Sequence, residues 1–211
     1  MTPRDKYYEA LGSKMLENFA KRGMEAYYCA SKEEALKKAL ELIPENSSVS
    51  WGGSMTIGEI GLDEKLKGGK YNVIDRTLAK NNEEKNEMYR KAFFCDWYIG
   101  SANGVSSKGE IVNIDGTGNR VAAMMYGPDN VLLIVGMNKV SPNLEEAVSR
   151  ARNVAAPINT ARFGKQTPCS KTGSCMDCFS DDCICSYITI TRKSNIKGRI
   201  KVILVAEELG Y

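Results

Sequence analysis

The chain contains no histidine among its 211 residues. A Ser-His-Asp triad, a Cys-His nucleophile and every histidine-ligated zinc centre therefore fall away at once. Long apolar runs are missing too: the aliphatic run Val131 to Val135 has five residues, against the about 20 that a membrane-spanning helix needs. Lys and Arg outnumber Asp and Glu by only 29 to 26, and the basic residues form no stripe interleaved with aromatics, which argues against nucleic acid as a partner. Residues Met1 to Lys6 lead into a charged helix rather than the apolar core of an export signal, so a cytoplasmic, membrane-free protein is expected.

What is present is sulfur. Five of the seven cysteines fall between positions 169 and 185, as Cys169-x5-Cys175-x2-Cys178-x4-Cys183-x-Cys185. Reducing conditions disfavour structural disulfides, so the cluster reads first as metal-binding. Four thiolates suit tetrahedral zinc and an iron–sulfur cubane alike, and ligand count does not choose between them. Free thiols or a redox pair at Cys175-x2-Cys178 are the plainer alternatives. Cys29 and Cys95 lie in apolar surroundings and read as core.

Hydrophobic periodicity alternates between helix and strand along the chain, the pattern of an α/β fold. Helices are expected over residues 5–22, 32–43, 55–66, 82–94, 121–126 and from Ser141-Pro142 to near Pro157. Strands are expected at 49–51, 71–75, 97–100, 110–114 and 131–135, followed by two β-rich runs at 187–191 and 199–205. A single domain over 1–211 results, built on an open, mostly parallel sheet flanked by helices. A cysteine-rich metal-binding insertion spans 165–186.

Two glycine loops sit between a strand and a helix. In Gly52-Gly53-Ser54-Met55-Thr56 the glycines permit close backbone approach, and Ser54 and Thr56 add hydroxyls. In Gly116-Thr117-Gly118-Asn119-Arg120 the guanidinium is suited to clamp a carboxylate or phosphate. Ligands of open α/β sheets bind at the carboxyl ends of strands, so both loops are expected to face one crevice for a small anionic metabolite. Lys139, after the central strand, is a weaker third candidate. Glu59 and Glu110 are the carboxylates nearest the loops in sequence, and no catalytic residue is named.

Taken in order, Trp51 to Thr56, Asn113 to Ala122 and Ala155 to Asn159 resemble the LUD domain of lactate-utilisation proteins. The tail, Thr167-Pro168-Cys169 through Cys175, Cys178 and Cys185 to Gly198-Arg199-Ile200, is similar to that family's cysteine-bearing branch. The resemblance implies a fold akin to the sugar-phosphate isomerase and CoA-transferase superfamily. It also implies a role beside oxidation of lactate to pyruvate, with iron–sulfur partner proteins. By position it places the metal ligands on Cys169, Cys175, Cys178 and Cys185, holding an iron–sulfur cluster such as 4Fe-4S or, alternatively, zinc. The chain departs from the pattern at Asp181 and Cys183, where Pro and Arg are expected, which removes a positive charge beside the thiols. An isomerase or CoA-transferase-like enzyme and a metabolite-binding subunit with structural zinc remain the other readings.

Overall fold

A computed structural model describes all of residues 1–211. The elements run α1 (Pro3–Lys21), β1 (Glu25–Cys29), α2 (Lys32–Leu42), β2 (Ser48–Trp51), α3 (Met55–Glu59), α4 (Leu62–Leu66), β3 (Asn72–Ile74), α5 (Asn82–Lys91), β4 (Trp97–Gly100), β5 (Gly104–Ser106), β6 (Ile111–Asp115), α6 (Asn119–Met125), β7 (Asn130–Gly136), β8 (Val140–Ser141), α7 (Leu144–Arg150), α8 (Ala156–Arg162), α9 (Pro168–Thr172), β9 (Tyr187–Thr191) and β10 (Ile200–Val205). Six strands form an all-parallel sheet in the order β1-β10-β7-β4-β2-β3.

The central strand shows why the sheet is buried on both faces. Val131, Leu133 and Val135 join Met15 and Phe19 of α1 in one core, while Leu132 and Ile134 point the other way, onto Ala35, Ala39, Ile57 and Leu66. The period-2 alternation of a strand thus splits one continuous apolar run between two layers of helices. Helix starts follow local chemistry: Thr2 and Asp5 form a reciprocal capping box at α1, and Ser31 caps α2.

Several sequence expectations change. The run 199–205 is no tail: β10 sits between β1 and β7, near the middle of the sheet. The strands at 111–115 and 187–191 leave the main sheet and pair antiparallel with each other in a second, four-stranded sheet, β8-β5-β6-β9. Finally, the helix expected to end near Pro157 continues to Arg162. A π-helical turn at Ala151–Ala155 precedes the proline, and the Ala156 amide reaches back to the Ala151 carbonyl. The wider turn accommodates a ring that cannot donate to the turn before it. Ser141, the expected start of that helix, lies in β8, and Asn143 caps the helix that starts at Leu144.

The helix expected over 55–66 is broken at Gly61, whose backbone is left-handed (φ 71°) with open space where a Cβ would stand. Gly61→Ala is expected to cost about 1 kcal/mol from the backbone conformation alone. A urea unfolding curve with an unchanged midpoint would show that the turn is not strained by a side chain.

Candidate functional site

Because all strands of the main sheet run the same way, their carboxyl ends open on one edge. Gly53 after β2, Arg76 after β3, Asn103 after β4 and Lys139 after β7 all emerge there. The loop after β6 in the second sheet arrives at the same edge. A crevice of about 490 Å³ is lined by Gly53, Arg76, Lys85, Asp115, Gly116, Asn119, Arg120, Arg162 and Lys165, so the two glycine loops do meet. Against five cations on this wall stands one carboxylate. A smaller chamber of about 60 Å³ adjoins it, lined by Ser54, Thr56, Ser101, Lys139 and Tyr211 and sharing Gly53, Asn103, Arg120, Asn159 and Arg162 with the crevice.

Arg120 occupies the junction and is held there by the protein itself. It donates to Asn113 Oδ1 (2.8 Å), Asn103 Oδ1 (3.2 Å) and the Ile114 carbonyl, with its Nε 3.7 Å from Asp115. Asp115 in turn accepts backbone amides of Thr117, Gly118, Arg120 and Val121, which folds the loop into the start of α6. A Cβ on Gly52 would stand 2.7 Å from the Arg120 side chain, so glycine is required for the guanidinium to lie where it does. Most of the donors expected to clamp a ligand are thus committed to tying α6 to β6 and to the β4–β5 connection. Arg76 and Arg162 are freer: Arg76 donates to the Trp51 carbonyl, and Arg162 lies over the rings of Phe163 and Tyr211 at 4.3 and 5.7 Å.

Lys139 has more structural weight than its sequence context suggested. It is 2% exposed, and its Nζ donates to Thr56 Oγ1 (2.9 Å) and Ser101 Oγ (3.0 Å). Burial, then the nearby Arg150 and Arg120, push its pKa down to about 7 against the pull of Glu59. The unfolded chain therefore binds a proton that the folded chain releases above about pH 7, so stability rises with pH over that window. Comparing urea unfolding of wild type and Lys139→Met between pH 6 and about 8.5 should show this slope in the wild type alone. Equal slopes in the two proteins would mean that Lys139 titrates normally. Of the two carboxylates near the loops in sequence, Glu110 pairs with Arg22 and accepts from Ser106, and Glu59 accepts the Gly210 amide.

The five clustered thiols, Cys169, Cys175, Cys178, Cys183 and Cys185, all line one cavity of about 450 Å³. No group of three or more His, Cys, Asp or Glu side chains is drawn close enough to hold a metal ion. Cys169 is buried at the start of α9, 3.1 Å from Thr167 Oγ1. Cys175 receives Arg152 at 3.5 Å, and Arg152 also pairs with Asp177. This arginine, from the turn between α7 and α8, brings to the thiols a positive charge that Cys183 does not. Hydrogen bonds from Ser180 and then Cys183 lower the pKa of Cys178. Burial, then the neighbouring thiols, push Cys185 up to about 12. Asp182, the residue before Cys183, pairs with Lys165 at 2.9 Å and accepts the Gln166 amide, tying the cysteine segment to the crevice rim. Ala156 and Ile184 line both the crevice and the thiol cavity, so one thin wall separates them.

The LUD domain family matches this sequence over residues 12–205. The chain belongs to the LUD domain family. Its fold is similar to the crystal structure of a DUF162 family protein from Deinococcus radiodurans, with a TM-score of 0.56 and 14% sequence identity over 97% of this chain and 99% of that one. No curated protein matches. No helix of this LUD protein is long and apolar enough to cross a membrane. Its expected architecture, an α/β fold on an open parallel sheet flanked by helices, is the one observed.

Sequence reasoning missed Arg76, Lys85, Asn103, Arg152, Arg162 and Lys165. Most are isolated charges on separate elements, and only the strand order brings them to one edge. For Arg162 a signal existed: it follows Asn159 by three residues on α8, which places both on one helix face.

Proposed function

We propose that this LUD protein binds a small anionic 2-hydroxy or 2-oxo acid in the basic crevice and acts as an accessory component in the oxidation of lactate to pyruvate. Cys169, Cys175, Cys178 and Cys185 would hold an iron–sulfur cluster, with Cys183 the spare thiol. The observation that carries the reading is the wall shared by an anion-suited crevice and an all-sulfur cavity, formed by Ala156 and Ile184.

A single zinc ion draws its thiolates to about 2.3 Å. Five thiols lining one cavity of about 450 Å³ leave room for the larger cluster. When bound, such a cluster supplies one-electron transfer. The chain's own part is to attract the acid through Arg76, Lys85, Arg162 and Lys165, to orient it through the backbone amides of the Gly53 and Gly116 loops, and to keep the thiols beside it. Conversion of lactate to pyruvate releases two electrons and two protons, so a second iron–sulfur protein is the natural onward carrier.

Anaerobic purification with metal and sulfide analysis tests this. A brown protein with iron and acid-labile sulfide in equal amounts is expected. Colourless protein carrying one zinc per chain would instead support the runner-up, an isomerase or CoA-transferase-like enzyme with a structural metal.

A further inference from the structure

The small chamber beyond Arg120 contains a combination that simple anion binding does not use. Lys139 Nζ donates to the hydroxyls of Thr56 and Ser101. Those hydroxyls are themselves committed as donors: Ser101 to the Ile134 carbonyl at 2.6 Å and Thr56 to the Leu209 carbonyl at 3.4 Å. Both must therefore accept from the lysine. Two of the amine's positions are thus fixed and a third is left without a protein partner. No carboxylate pairs with it in any ion pair of the molecule.

Two further residues that line this chamber each carry a buried polar atom without any hydrogen-bond partner, Asn159 Oδ1 and the Tyr211 hydroxyl. Buried polar atoms are almost always satisfied, so two orphans beside an unpaired buried amine indicate a missing polar ligand. At about 60 Å³ the chamber admits only a head group of a few non-hydrogen atoms. Arg162 lines both the chamber and the crevice and suits a carboxylate at the mouth.

We propose that Lys139 is a nucleophilic amine that forms an imine with the carbonyl of a small 2-oxo acid, whose carboxylate is held by Arg162 and whose carbonyl oxygen faces Tyr211. The lone pair of Lys139 adds to the ketone carbon, and the amine proton passes to the resulting oxygen, giving a carbinolamine. The nitrogen then expels that oxygen as water, with the Tyr211 hydroxyl as proton donor, and the N–H proton of the resulting iminium returns to the Tyr211 phenolate to leave the imine. No electrons enter or leave. A lysine is a nucleophile only when neutral, and the downward push to about 7 makes that form available near neutrality. This rests on the crevice reading and deepens it by naming the residue and the bond that capture the 2-oxo acid, but it needs neither iron nor a redox partner.

The test is reductive trapping: the purified full chain is mixed with pyruvate and sodium borohydride, then analysed by intact mass and peptide mapping. One reduced pyruvate adduct per chain, on the peptide containing Lys139, is expected. The adduct should be absent in Lys139→Met and form about tenfold more slowly in Arg162→Ala, the size of one charge-assisted hydrogen bond. Labelling of Lys139 should also rise through about pH 7, below the range of exposed lysines near about 10.4. Adducts spread over exposed lysines, or no adduct on Lys139 in the wild type, would overturn the proposal even if Lys139→Met failed to fold. A trapped Lys139 in a protein without iron would leave this inference standing and remove the cluster.

Discussion

Arg120→Ala is expected to lower the unfolding free energy by about 3–5 kcal/mol, the range for removing one partner of a buried charge pair. Arg120 is only 18% exposed along its side chain and ties α6 to β6 and to the β4–β5 connection. Its removal leaves Asn113 Oδ1 without its donor and Asp115 without its counter-charge. Arg120→Lys should recover only a small part, because a single ammonium cannot reach Asn113, Asn103 and the Ile114 carbonyl together. A urea titration reads the effect as a lower midpoint at constant slope. A loss below about 1 kcal/mol, typical of an exposed ion pair, would show that the guanidinium is solvated and free to clamp ligand after all. The distinction matters for function: a guanidinium already held by Asn113, Asn103 and Ile114 cannot simultaneously offer its full fork to an anion, which moves ligand capture to Arg76 and Arg162.

Cys178→Ser is expected to abolish bound iron and acid-labile sulfide, whereas Cys183→Ser is expected to retain both. The two thiols line the same cavity, and the backbone amide of Cys185 points at Cys183 Sγ at 3.4 Å. Cys183 thus has a role as an acceptor within the loop, which serine can take over. Cys178 has no such substitute as a soft ligand, because a serine oxygen is a poor match for iron in a cluster. Metal and sulfide analysis after anaerobic purification separates the variants. Full iron in Cys178→Ser, or none in Cys183→Ser, would reassign the fourth ligand.

Much of the scaffold could be read from the chain because its signals are local. The cap at Ser31, the apolar run at Val131–Val135 and the glycines after β2 each act within a few residues, and helix, strand and turn appear where those signals stand. The expectation failed where a distant partner decides. Arg199 to Val205 looked like an appended strand, yet its apolar residues complete both cores between β1 and β7. Pro157 looked like a stop, yet the π-turn before it carries the helix onward to Asn159 and Arg162.

By itself, then, the sequence determined the chemical inventory: no imidazole, a run of five thiols between 169 and 185, and two glycine loops following strands. Composition and spacing are properties of the covalent chain, and no packing can add a donor type that is missing. Only the tertiary structure decided which groups meet. The parallel order of six strands gathers Arg76, Lys139 and Arg162 from positions far apart, and the core buries Lys139 among hydroxyls without a counter-ion. Desolvation and convergence depend on three-dimensional neighbours, so the site's electrostatics exist only once the chain has folded.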